Sequence, residues 1–229
     1  MRFDLHIHSN HSSDSSLTVD DILKQAVKKG LDGIAICDHN TVQGSLHAIE
    51  RAKELNIPLL VIPGVEVSTT QGHILVFGMR EDIPSELSST ETFRIARQKG
   101  GIVVAAHPFK IGGIGFGAKE ADAVETFNSR CIFGENTQAK EMAIALGKPE
   151  IGGSDSHMLS TIGIGFTEID AGSSEDAVLK AIREGKTHSG GAIAPVYVVS
   201  IQVVRGVFRR AGRLRKRIHS KIFHDGGTL

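Results

Sequence analysis

The 229 residues are 40% hydrophobic and carry 26 basic and 26 acidic side chains, with a formal net charge of zero. That is enough apolar matter for one sizeable core in one main domain. Two cysteines exclude a disulfide framework, no apolar run is long enough to cross a bilayer, and the lack of Trp with a single Tyr argues against a base-stacking platform. The zero charge hides an asymmetry. Residues 205–229 hold eight Lys/Arg against one acid, Asp225, which leaves 18 basic and 25 acidic residues in 1–204.

In chain order, MRFDLHIH is a short alternating strand, with Leu5 and Ile7 packing opposite His6 and His8. It begins at the first residues and leaves no room for a signal peptide. Thr18 with Asp21 three residues on predicts a capped helix through Lys29. GIAIC reads as a strand buried on both faces, and its Cys37 as a small hydrophobe in a reduced, cytoplasmic setting. A helix over 42–55 precedes PLLVIPG, the third strand. Two β-rich runs meeting at Gln71-Gly72 predict a hairpin.

A helix over 89–99 leads to GIVVAAHP, a strand ended by Pro108. The glycine-rich run 109–117 lacks the Lys-Ser/Thr of a P-loop and reads as a mobile loop beside a site. DAVETFN, PEIGGSDSH and GIGFTEID are strands. Helices follow near 135–146 and after Ser174, and THSGG and PVYVVSIQVV finish the fold. This alternation indicates a parallel α/β sheet or barrel.

Histidines and carboxylates recur where strands hand over to loops. His6 and His8 stand two apart, so their imidazoles project to one face and can share an ion. Asp155 and His157 repeat that spacing after Gly152 and Gly153, which allow a close backbone approach. Glu66 can bridge two ions through its two oxygens. His107 precedes a proline that turns the chain outward. His39 follows Asp38, whose carboxylate could orient it. His73 opens the return strand of the hairpin.

These segments (DLHIHS, CDHN, PGVEVS, GHILVFG, AAHP, ETFNSR and GSDSH) resemble, in order and from residue 4 to about 168, the PHP (polymerase and histidinol phosphatase) superfamily. The resemblance implies a single-domain, distorted seven-stranded (β/α)7 barrel over 1–204. It also implies three divalent ions and hydrolysis of phosphate esters by a metal-activated water. Carried over by position, His6, His8, Glu66 and Asp155 take one ion. Glu66, His73 and His107 take a second, and Asp14, His39 and His157 a third. His11 competes with Asp14, which is favoured because it stands ahead of Ser15-Ser16-Leu17 as the family's Asp stands before a small residue and Leu.

His39 and His157 are alternative proton donors if the third position is empty. Arg130 can fork onto phosphate oxygens, and Lys110 is another candidate for that contact. Asn128 shapes a turn. His47, His188, His219 and His224 receive no role. The ions can be zinc, manganese or iron, because mixed imidazole and carboxylate ligands suit all three. The expected substrate is a small phosphorylated molecule or a short oligonucleotide. A nuclease that grips RNA or DNA with the basic tail at 205–229 is the alternative, and a non-catalytic metal-binding regulatory domain is a third reading.

Overall fold

The computed structural model describes residues 1–197, of which 1–194 form one compact unit. The basic tail and most of PVYVVSIQVV lie outside the described residues. Among the described residues nine strands form one sheet: β1 (Arg2–Ile7), β2 (Gly33–Ile36), β3 (Leu60–Ser68), β4 (His73–Phe77), β5 (Ile102–Ala105), β6 (Ala123–Asn128), β7 (Glu150–Gly153), β8 (Gly165–Ile169) and β9 (Thr187–Gly191). Their order is β7-β6-β5-β4-β3-β2-β1-β8-β9.

The expected seven strands are therefore nine. The first seven follow one another in order, and the sheet curls until the chain after β7 meets β1. Ile7 bridges Ser156 in parallel, and the His8 amide donates to Ser156 O at 2.9 Å. This nearly closes a barrel. β8 pairs antiparallel with the start of β1, Arg2 opposite Glu168, and β9 pairs with β8. The extra pair arises because β1 shares one edge between two partners, β8 at its beginning and the segment after β7 at its end.

The sheet is also not all parallel. β3 and β4 form the predicted hairpin, with Ser68 opposite His73, and β4 runs antiparallel to β5 as well. Reversing β4 places its first residue, His73, at the same end of the barrel as the last residues of β3 and β5 on either side of it.

Among the described residues five α-helices cover the sheet: α1 (Val19–Lys28), α2 (Gln43–Glu54), α3 (Ser89–Gln98), α4 (Glu135–Leu146) and α5 (Glu175–Arg183). Side-chain caps start three of them. Thr18, Ser88 and Ser174 accept from the amides of Asp21, Glu91 and Ala177, satisfying donors the helix cannot. One core gathers residues from β1 to β7, including Phe3, Leu5, Ile62, Leu75, Val104 and Ile151, and α5 closes it with Val178, Leu179 and Ile182. Each such side chain, removed from water, contributes about 1.5–3 kcal/mol.

β1 departs from simple alternation. Leu5 packs with Phe3 in that core, whereas Ile7 packs with Val19, Ile22 and Leu23 of α1. The pairing of β1 with β2 shifts register between Asp4 and Ile7. The shift resets which face each residue presents, over the stretch that includes His6.

Candidate metal centre

Every site residue sits at one end of this barrel. His6 lies near the end of β1, His8 follows it, and His39 follows β2. Glu66 lies late in β3, and His73 begins β4. His107 follows β5, Arg130 follows β6, and Asp155 and His157 follow β7. Two of them hold backbone conformations that L-residues avoid, φ +27° at His107 and +52° at Asp155, so the turn out of each strand carries strain at the site.

Glu66 is the hub. Its side chain is 2% exposed. Oε1 lies 3.0 Å from both His73 Nδ1 and His107 Nε2. Oε2 lies 3.3 Å from His8 Nε2 and His39 Nδ1, and 3.6 Å from His6 Nε2. Around the rim, Asp14 Oδ2 is 2.8 Å from His157 Nε2 and 3.2 Å from His39 Nε2. Asp155 Oδ1 is 3.5 Å from His8 Nε2 and 3.7 Å from His157 Nδ1. All nine predicted ligands are thus brought together.

Their grouping is tighter than the expected three sets. His6–His8–Glu66, His8–Asp155–His157, His8–Asp14–His39 and His39–Glu66–His73 each converge with donor atoms within 4.8 Å of one another. His8 belongs to three of these and lies at the centre of the row. His11 is elsewhere. It is exposed, and its Nε2 lies 3.2 Å from Nδ1 of His47 on α2.

The electrostatics follow from burying three carboxylates among imidazoles. Burial raises a carboxyl pKa, but the charges of His39 and His73 and hydrogen bonds from His107 and His6 hold Glu66 well below its usual range. Asp155 is likewise held low against burial by Arg130 and Lys110, and Asp14 by His157 and His39. Burial pulls His8 down, yet Asp155 and Glu66 raise it to about 9, and Glu125 and Asp155 similarly overcome burial to lift His6. His157 goes the other way. Burial and the charge on His8 push it down to about 4, against its bond to Asp14.

The polypeptide therefore demands positive charge here, and its donor atoms fit a divalent cation. His6 Nδ1 pairs with Glu125, which leaves the lone pair on Nε2 aimed at His8 Nε2 only 3.2 Å away. His39 Nδ1 is buried 3.3 Å from Glu66 Oε2 and makes no hydrogen bond. A cation between such atoms satisfies both, and imidazole with carboxylate suits zinc, manganese or iron.

Several supporting residues escaped the sequence reading. Glu125, buried in β6, takes His6 Nδ1 on Oε1 at 2.8 Å, and the His107 amide on Oε2 at 2.8 Å. Asp4 takes the Ser154 amide, the Ser154 hydroxyl and the Gly163 amide, which fastens the turn carrying Asp155 to β1; burial lifts its pKa to about 6. The available signal was a carboxylate inside an apolar strand at both places. Asp38 corrects an expectation: its oxygens accept from the Ser9 amide and hydroxyl at 2.7 and 2.6 Å, so it orders the loop after β1 and not His39.

Gly153 has the expected reason for lacking a side chain. A Cβ there would stand 2.5 Å from His6 Cβ and 2.7 Å from its amide nitrogen. The glycine-rich loop does lie beside the site, tied down by the bond from His73 N to Gly112 O at 2.8 Å. Arg130 Nη1 reaches Asp155 Oδ1 at 2.9 Å, and Lys110 Nζ reaches Asp155 Oδ2 at 2.6 Å. Asn128 does more than shape a turn, since its amide donates to Glu125 and Asp155. Cys37 and Cys131 are both buried, and burial drives both thiols up, Cys131 to about 12.

This geometry coincides with what comparison finds. The PHP domain model matches residues 4–112, and a PHP-associated model matches 133–187. An uncharacterized protein of Methanocaldococcus jannaschii is 36% identical over 143 residues, 56% of this chain and 82% of that one. The chain belongs to the PHP family.

A 5'-3' exoribonuclease of Haemophilus influenzae is 32% identical to this PHP chain over 107 residues, 45% of this chain but only 38% of that enzyme. Among solved structures, a two-domain Bacteroides vulgatus protein containing a predicted PHP-like metal-dependent phosphoesterase superposes with a TM-score of 0.71 at 18% identity. The match covers 84% of this chain and 65% of that one, and it shows the shared PHP fold. Among the described residues no helix is long and apolar enough to cross a membrane.

Proposed function

We propose that this PHP chain is a metal-dependent phosphoesterase. The observation that carries the reading is Glu66, whose two oxygens face two different groups of imidazoles at 3.0–3.6 Å. His6, His8, Asp14, His39, Glu66, His73, His107, Asp155 and His157 would hold three divalent ions of zinc, manganese or iron. Bound there, such ions supply Lewis-acid charge to phosphoryl oxygens and make a nearby water acidic. We read β1 to β7 as the distorted barrel that carries this centre, β8 and β9 as additions to it, and 205–229 as a separate basic tail.

The chain's own groups divide the remaining work. Arg130 sits on the wall of the centre, with its guanidinium on Asp155 and its Nε buried without a partner, so it has donors left for a phosphate. Burial and the charge on His8 hold the His157 imidazole low, at about 4, which suits a metal ligand. With the third position empty, His39, a quarter exposed, is the imidazole able to meet a leaving group at the mouth. The substrate class is a phosphorylated small molecule or a short oligonucleotide.

Elemental analysis of the purified protein, followed by a screen of phosphate esters from simple aryl phosphates to nucleotides and short RNA, tests this. Turnover that disappears with chelator and returns with metal is the expected result. Bound metal with no hydrolysis of any ester would favour a metal-binding regulatory domain and end the reading.

A second reading, a nuclease, draws support from the similarity to an exoribonuclease and from the eight basic residues of 205–229. A chain ending at Val204 that keeps small-ester turnover but loses action on RNA supports it. Equal loss of both counts against it.

A further inference from the structure

Two cations converge on one carboxylate at the wall of the centre. Asp155, 3% exposed, receives Arg130 Nη1 on Oδ1 and Lys110 Nζ on Oδ2. One charge suffices to balance it. Asn128 also donates to Oδ2, at 3.3 Å, so that oxygen keeps a partner without Lys110. An ammonium has three N–H donors on a flexible stem. Among the described residues Asp155 is the one hydrogen-bond partner found for the Lys110 ammonium, and its side chain is 20% exposed, the most open of the groups that meet Asp155 in ion pairs on this wall.

The two cations arrive from different loops. Lys110 follows His107 after β5, with its amide on His107 O at 2.9 Å. Arg130 follows β6, where its amide is pinned by Asn128 Oδ1 at 2.9 Å. Lys110 is therefore the surplus positive charge, seated on Asp155 and partly open to solvent.

We infer that Lys110 is the specificity-determining phosphate contact, and that with Arg130 it selects a terminal phosphomonoester over a phosphodiester. The inference rests on the phosphoesterase reading and narrows its substrate. A monoester near neutral pH carries close to two charges and three free oxygens, because its second pKa is about 6. A diester carries one charge and two free oxygens. The monoester's third free oxygen and added charge make the second cation worth more with a monoester than with a diester.

The test compares wild type with Lys110→Met, which keeps the stem, and Lys110→Arg, which keeps the charge. Phenyl phosphate and bis(p-nitrophenyl) phosphate are the substrates, inorganic phosphate the binding probe, and metal content is measured throughout. Lys110→Met is expected to raise KM for phenyl phosphate roughly tenfold, the worth of one charge-assisted hydrogen bond, and to weaken inorganic phosphate similarly. The KM for the diester should move far less, metal content should hold, and Lys110→Arg should recover most of the loss.

Metal content that falls in Lys110→Met would make the residue a brace for Asp155 and overturn the inference. So would equal KM shifts for both esters, or a wild type that prefers the diester. A wild type that turns over no ester defeats the phosphoesterase reading by itself. Phosphate affinity still judges Lys110 in that case, and an unchanged affinity in Lys110→Met overturns its role as a phosphate contact.

Discussion

His6 Nδ1 lies 2.8 Å from Glu125 Oε1, joining residues 119 apart in the chain inside the floor of the centre. The carboxylate fixes the imidazole's tautomer and keeps Nε2 free to bind. It also accepts the His107 amide, so one side chain orients two of the proposed ligands. Removing its charge leaves the His6 ring and the His107 backbone less well held. Glu125→Gln is expected to weaken metal binding about 10–100-fold in chelator competition, the usual cost of losing a carboxylate behind a ligating histidine. Unchanged affinity would show that packing alone positions His6.

Glu66 offers one oxygen to His73 and His107 and the other to His6, His8 and His39. Glu66→Ala should therefore lower metal content by two ions per chain, not one, in elemental analysis of dialysed protein. Retention of full metal content would remove the bridging assignment.

Protons and metal compete for the same positions. Burial opposes charge on His8, but Asp155 and Glu66 hold its pKa at about 9, and His6 is raised for the same kind of reason. In the metal-free chain these raised pKa values stabilise the fold fully below the unfolded histidine value of about 6.5, and that stability is lost as pH rises through about 9. The depressed carboxylates Glu66, Asp155 and Asp14 act in the opposite sense, stabilising above their unfolded values and losing that as pH falls. The melting temperature of metal-free protein should thus decline between pH 6.5 and 9, and metal uptake at pH 7 should release protons. Calorimetry in buffers of different ionisation enthalpy reads the release directly, and uptake without it would contradict this account.

Gly153→Ala puts a methyl carbon 2.5 Å from His6 Cβ and 2.7 Å from its backbone nitrogen. Neither atom is the end of a flexible side chain, so β1 and β7 must separate. The expected cost is about 1–3 kcal/mol in denaturant unfolding, as for other overpacked sites, with metal affinity reduced as well. A variant as stable as the parent would mean the two strands can part freely.

Much of this protein was legible in the sequence because local physics decides it. Thr18 and Ser174 marked helix starts, since a hydroxyl there satisfies free amides within three residues. The Gln71-Gly72 turn marked the hairpin. The His6/His8 and Asp155/His157 spacings marked two pairs of candidate ligands that the fold does bring to one centre, although β1 breaks its alternation and Asp155 and His157 lie beyond β7. Tertiary structure alone decided the rest. The residues after Asp14 favour it over His11, but only the fold brings Asp14 against His39 and His157 and leaves His11 beside His47 on α2. Asp38 adjoins His39 but bonds Ser9, and Glu125 serves His6 from across the barrel. The count of nine strands depends on β1 sharing its edge between β8 and the turn after β7. In each case the deciding contact joins residues far apart in the chain, and its energy exists only once the sheet has curled to bring them together.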